Sequence, residues 1–388
     1  MTRKLTNLGD NFVIGFEGTA MTPALAKLLA RIQPAGVILF RRNITDAEQT
    51  WQLLRDCQRQ VAQPLFTCVD MEGGTVDRLR DIFGPSPSAA SVFETADLNL
   101  FRRHGKAIGA ICRAAGFNVD FAPTLDLSLP PSLPVMGSRV VSANPHEVTS
   151  YARAFLRGLS DSRVLGCGKH FPGLGEVSLD THKDLPVVEK TMRRLLAEDV
   201  EPYRALRRDL PFVMICHAIY ATATRDQTPA SLSKKWMTDI LRRKVGYTGL
   251  AITDDMEMHA VSDYGSYESI AERALLAGND VVMFCSHIER IPDIQQFLGA
   301  RVKDDKAFRI RVEDASRRAA AYRQHIDYVR RDGLPPAANF DDIVDETSRF
   351  VEAFQKARHG KDAVIPEVDR RKDSRTPGTG RTGREEWT

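Results

Sequence analysis

The stretch VLGCGKHFPGLGEVSLDTHKDLP, residues 164–186, changes character twice. It opens as an apolar run without alternation, which is how a strand buried on both faces reads. The run ends in Lys169 and His170. A Gly/Pro-rich loop follows, carrying Asp180 and His182, and no helix or strand pattern claims it. The unit is therefore a buried strand, a charged end and a polar loop, and the fold depends on whether the chain repeats it.

The chain repeats it along its length. The other runs are VIGF (13–16), GVILF (36–40), LFTCVD (65–70), FNVDFAP (117–123), FVMICHAI (212–219), LAITDD (250–255) and DVVMFC (280–285). Amphipathic helices separate them. In HEVTSYARAFLRGLSDS, Val148, Tyr151, Ala152, Phe155, Leu156 and Leu159 fall on one helical face. SLSKKWMTDILRRKVGY does the same with Leu232, Trp236, Met237, Ile240 and Leu241, and Ser231 or Ser233 is the expected N-cap. Eight β-α alternations predict a single-domain α/β fold, a (β/α)8 TIM-type barrel. The competing open doubly wound sheet wants a glycine-rich dinucleotide fingerprint after its first strand, and FEGTAMTP (16–23) is not one. We expect the barrel over residues 1–335, a C-terminal helix over 336–358 and a disordered basic tail over 359–388.

Composition narrows the function. A formal net charge of +3 on 388 residues gives no push toward nucleic acid. The six cysteines form no CxxC pair and no metal spacing, and several sit inside apolar runs as small buried hydrophobes. That suits a reducing compartment. The N-terminus lacks an apolar core of signal-peptide length and no run is long enough to span a bilayer, so a cytoplasmic protein without membrane insertion is expected.

In a barrel, chemistry collects where strands end and their loops begin. Those positions hold Asp70, Asp120, Lys169, His170, His217, Asp254 and Asp255, while the strand starts show no comparable cluster. Asp254 and Asp255 are adjacent, so their side chains point to opposite sides of the strand, and only one faces a pocket easily. The other reads as a structural carboxylate that caps the next loop or pairs with an arginine. Asp180 and His182, two apart in an extended loop, can share a side; a carboxylate fixes an imidazole's tautomer and raises its pKa, which suits proton transfer near neutral pH. A loop histidine tied down as a brace is the bland reading. Lys169 and His170 are donors that could hold sugar hydroxyls, and a buried lysine could form a Schiff base. Arg78 and Arg139 are further donors. Gly73 and Gly74 permit a tight turn after Asp70.

Several segments together resemble glycoside hydrolase family 3, in its single-domain β-N-acetylhexosaminidase branch of the cell-wall recycling type. They are VDMEGGTVDRL, NVDFAPTLDL, MGSRVVSANPHEV, GKHFPGLGEVSLDTHKDLP, MICHAIY, PASLSKKWMTDILRRKVGYTGLAITDDMEM and LLAGNDVVMF, spanning about residues 12–325. The resemblance implies a retaining glycosidase acting on terminal N-acetylglucosamine β-linkages, with no cofactor and no metal. It implies Asp254 as nucleophile, His182 as acid/base and Asp180 as its orienting partner. It also implies Asp70, Arg78, Arg139, Lys169 and His170 as substrate-binding residues. Three departures touch the loops: Leu174 where the family loop has a second histidine, Thr75 where it has arginine, and SRVV (138–141) where it has DRSF. Alternatives are a β-glucosidase or a phosphorylase on the same fold, a carbohydrate-binding protein that has lost catalysis, and a Schiff-base aldolase using Lys169.

Overall fold

The computed structural model describes residues 8–180, 185–325 and 340–359. Each apolar run becomes a strand: β1 (Phe12–Ile14), β2 (Gly36–Ile38), β3 (Phe66–Val69), β4 (Val119–Asp120), β5 (Leu165–Phe171), β6 (Phe212–Ile215), β7 (Leu250–Asp255) and β8 (Val281–Phe284). Each strand pairs in parallel with the next, and β8 closes on β1 with Phe12 opposite Val282. The fold is a (β/α)8 barrel.

Alternation along the strands divides the core. Val13, Ile38, Phe66, Cys68, Val119, Cys167, Phe212, Met214, Leu250, Ile252, Val281 and Met283 form one buried cluster that fills the barrel. Their strand neighbours face the helical layer: Phe12, Ile14, Val37, Val69, Val282 and Phe284 in one cluster, Val213, Ile215 and Ala251 in another. The helix Pro145–Asp161 buries all six residues of its expected apolar face. The six cysteines are free and buried.

Helix Lys306–His325 runs along the N-terminal end of the barrel. Ala319 joins the interior cluster, and the Tyr322 ring lies 6.2 Å from that of Phe212. The strand starts do carry charge, contrary to expectation. Asp280, just before β8, is fully buried and bonds Arg242, Arg311 and Arg318, and Asp10, before β1, bonds Arg323. Burial pushes the Asp280 carboxyl up, but the three guanidiniums outweigh it and hold it below its ordinary value. These pairs fasten the helix to the barrel floor. The serine caps also differ from expectation. Helix Lys235–Lys244 has no side-chain cap, because the Ser231 hydroxyl bonds His217 and Ser233 offers only its carbonyl, to the Met237 amide.

The C-terminal helix spans Phe340–His359. It buries Phe350 and Phe354 in the outer core, and Phe350 stacks on His104 with ring centroids 5.6 Å apart. Of the expected basic tail, 359–388, His359 ends this helix, and the rest lies outside the described residues. His104 is fully buried, with Nδ1 2.9 Å from the Tyr151 hydroxyl. Burial pushes its pKa down to about 3 against the pull of the Pro87 carbonyl. The unfolded chain then binds a proton between pH 6.5 and 3 that the folded chain does not, so stability falls as pH drops through that window. We expect His104→Gln to shrink the stability lost between pH 7 and pH 4 by roughly 3 kcal/mol, read by urea denaturation at both pH values.

Candidate active site

At the C-terminal ends of β3, β4 and β5 the polar side chains interlock. Asp70 follows β3, and Glu72 sits in the turn behind it, whose arms are Met71–Gly73 and Val76–Asp77. Gly73 and Gly74 take positive φ (81° and 63°), and a Cβ on Gly73 would lie 2.2 Å from the Pro87 carbonyl oxygen, so the turn excludes side chains there. Lys169 Nζ lies 2.7 Å from Asp70 Oδ1 and 2.6 Å from Glu72 Oε1. Arg139 grips the same Glu72 with Nε and a terminal nitrogen, both at 2.9 Å, and Thr124 donates to Glu72 Oε2. Asp120, wholly buried, accepts the Met71 amide and fixes where this turn begins.

Two cations thus surround a carboxylate that is almost entirely out of water. Burial alone would raise the Glu72 pKa; Arg139 and Lys169 outweigh it and hold the carboxyl well below the usual range. Burial likewise disfavours the Lys169 ammonium, but Asp70 and Glu72 hold it protonated well above its ordinary value. A lysine so held is no amine nucleophile, which removes the support for Schiff-base chemistry. The charges of Asp70, Glu72, Lys169 and Arg139 cancel, leaving fixed donors and a neutral total. Such a site suits an uncharged polyol: the third ammonium proton, the remaining Arg139 donors and Asp70, 17% exposed, are available to hydroxyls.

His170 Nδ1 lies 2.7 Å from Asp126 Oδ2, and Asp126 Oδ1 accepts the Leu174 amide. Asp126 therefore holds both the imidazole and the start of the loop. Leu174 packs on the outer cluster between strands and helices, and Val140 is buried. Tyr220 donates to the Gly173 carbonyl from the far side.

On β7, Asp254 Oδ1 accepts the Asp255 amide at 2.9 Å. Asp255 turns the other way. Its Oδ1 accepts the Glu257 amide, as a loop cap does, and burial pushes its pKa up to about 7. The carboxylate of Asp254 and the ring of His170 both act on buried His217 of the intervening strand end. The ends of β3 to β7 are neighbours around the barrel, so these groups share one rim.

The network thus brings together Asp70, Lys169, His170 and Arg139, with Asp254 two strands away. It adds Glu72 and Asp126, which sequence reasoning passed over. Arg78 is half-buried beyond the turn and, among the described residues, makes no hydrogen bond; its Nε is buried without a partner. Asp180 ends the strand Ser178–Asp180, paired antiparallel with Leu185–Val187. His182 lies outside the described residues. Among the described residues no cluster of metal-ligating side chains occurs, and no helix is long and apolar enough to cross a membrane.

The glycosyl hydrolase family 3 N-terminal domain matches residues 3–321. A β-hexosaminidase of Idiomarina loihiensis is 34% identical over 278 residues, 71% of this chain and 83% of that protein. One from Bordetella avium is 37% identical over 271 residues, covering 68% and 77%. Among solved structures, a family 3 β-N-acetylglucosaminidase from Paenibacillus superposes with a TM-score of 0.82 at 28% identity, covering 90% of this chain and 69% of that one.

Proposed function

Because the chain belongs to glycosyl hydrolase family 3, we propose that it is a retaining β-N-acetylhexosaminidase that releases terminal N-acetylglucosamine from β-linkages. The observation that carries this reading is the neutral, ion-paired Asp70–Lys169–Glu72–Arg139 cluster on the same rim as Asp254. It offers hydroxyl partners beside a carboxylate. The relatives named above, β-hexosaminidases by description, support the choice of sugar.

The steps follow from the residues. The Asp254 carboxylate attacks the anomeric carbon, the glycosidic C–O bond breaks, and the leaving oxygen takes a proton from the His182 imidazolium. Water then attacks the same carbon and gives its proton to the neutral imidazole, and the ester bond to Asp254 breaks. Two inversions at one carbon retain configuration. In the usual scheme a second carboxylate shuttles the proton; a histidine titrating near working pH can do the same work in both directions. Asp180 orients that imidazole. Asp70, Lys169, His170 and Arg139 hold the sugar, and Arg78 contributes a further donor. No cofactor or metal is needed for any of these steps. The natural substrate in this reading is a muropeptide-derived glycoside, met in the cytoplasm during cell-wall recycling; six free, buried cysteines suit that compartment.

A panel of aryl β-glycosides tests the reading. The N-acetylglucosaminide is expected to be cleaved at least ~100-fold faster than the glucoside, with no dependence on phosphate. Preference for the glucoside, phosphate-dependent sugar phosphate formation, or binding without turnover would each replace the proposal with one of its rivals.

A further inference from the structure

His217 lies two residues past the end of β6 and is buried, and both its ring nitrogens are occupied. Nε2 lies 2.9 Å from the Asp255 carbonyl oxygen and Nδ1 lies 2.7 Å from the Ser231 hydroxyl. A carbonyl only accepts, so Nε2 carries the proton; in the neutral ring Nδ1 then accepts from Ser231. Burial favours that neutral ring, against the pull of the Asp254 carboxylate. Ser231 is itself fixed: its amide donates to the Cys216 carbonyl, and its carbonyl accepts from Asn279 at 2.7 Å. The ends of β6 and β7 and the start of β8 are locked through one imidazole.

Resting on the function proposed above, we infer that His217 is a positioning residue for the nucleophile: its Nε2–H clamps the Asp255 carbonyl, and so holds in place the residue whose amide pins Asp254 Oδ1. Among the described residues nothing bonds Asp254 Oδ2. The clamp therefore leaves one carboxylate oxygen tied and the other free to attack. The group that defines the attack geometry is thus on a different strand from the nucleophile.

Two isosteres separate this role from simple packing. The amide of Gln at position 217 reaches as far as Nε2 and can donate to the Asp255 carbonyl; that of Asn reaches only as far as Nδ1. With an aryl N-acetyl-β-glucosaminide, His217→Asn is expected to lower kcat roughly 100-fold with KM within about threefold, as an ångström-scale misplacement does, while His217→Gln stays within about tenfold of the parent. Ser231→Ala, which removes the hydroxyl that braces Nδ1 and steadies the ring, is expected to lower kcat several-fold. Crystal structures of the Asn and Gln variants supply a readout independent of turnover: Asp254 leaves the Asp255 amide in the former and keeps it in the latter. Equal kcat in the Asn and Gln variants, an unchanged Ser231→Ala enzyme, or an unmoved Asp254 in His217→Asn overturns the inference. A parent protein inactive on this substrate overturns the proposed function instead, and the crystallographic comparison still decides the role of His217.

Discussion

Replacing Asp254 with alanine is expected to lower kcat on an aryl N-acetyl-β-glucosaminide by roughly 10⁴-fold or more, with KM little changed. The split follows from the division of labour on the rim. In the proposed reading the sugar hydroxyls are held by Asp70, Lys169 and Arg139, which are linked directly or through Glu72 and not to Asp254. The ground-state complex therefore survives while the covalent route is lost. Among the described residues the Asp254 side chain hydrogen-bonds only the Asp255 amide, so truncation is expected to leave no buried ion unpaired and the variant to fold. Azide supplied to this variant enters the vacated face, forms the C1–N bond as the C1–O bond breaks, and gives an α-glycosyl azide. Product of retained β configuration, or a near-parental rate, means that Asp254 is not the nucleophile.

Glu72→Ala is expected to be nearly as damaging by another route. Glu72 is 2% exposed and neutralises two cations at once. Its removal leaves Lys169 with Asp70 alone and Arg139 with no carboxylate, in a place where water reaches neither well. Breaking a buried pair in this way typically costs 3–5 kcal/mol of stability. The donors proposed to hold the sugar also lose their common anchor, so kcat/KM is expected to fall about 10³-fold. Glu72→Gln, which keeps the shape and loses the charge, isolates the electrostatic part: the two cations are left as unpaired as in the alanine variant, so a stability loss of the same order is expected, with activity down about 100-fold. Denaturation and initial rates on the same preparations check both numbers. Parental activity in Glu72→Gln would show that the charge on Glu72 does not order the site.

The fold was legible because a barrel buries its strands on both faces, and eight unalternating runs such as GVILF and DVVMFC leave few other architectures. The rim was legible in part, since Lys169, His170, His217 and Asp254 all stand at the ends of such runs. Glu72 was missed although the signal was present. Asp70 and Glu72 are two apart, as are Thr124 and Asp126, and in extended chain such pairs share a side. In both pairs one member supports the residue that faces the site. Ser231 was misread because a serine ahead of a helix normally caps it, and nothing local reveals a histidine fourteen residues earlier competing for its hydroxyl. Asp10 and Asp280 were overlooked for a similar reason: apart from Arg242, their arginines arrive from the helix Lys306–His325, far along the chain. Local pattern encodes the strands and the exposed ends; charge pairing across the barrel appears only when the ends meet.

Covalent trapping tests the account most directly. An activated fluoro-substituted N-acetylglucosaminide that forms the glycosyl-enzyme quickly and releases it slowly is mixed with the protein, which is then digested and mapped by mass spectrometry. A single added sugar on Asp254, in the peptide containing LAITDD, is the predicted result; a sugar on any other residue, or no adduct from a protein that still turns the compound over, would contradict it.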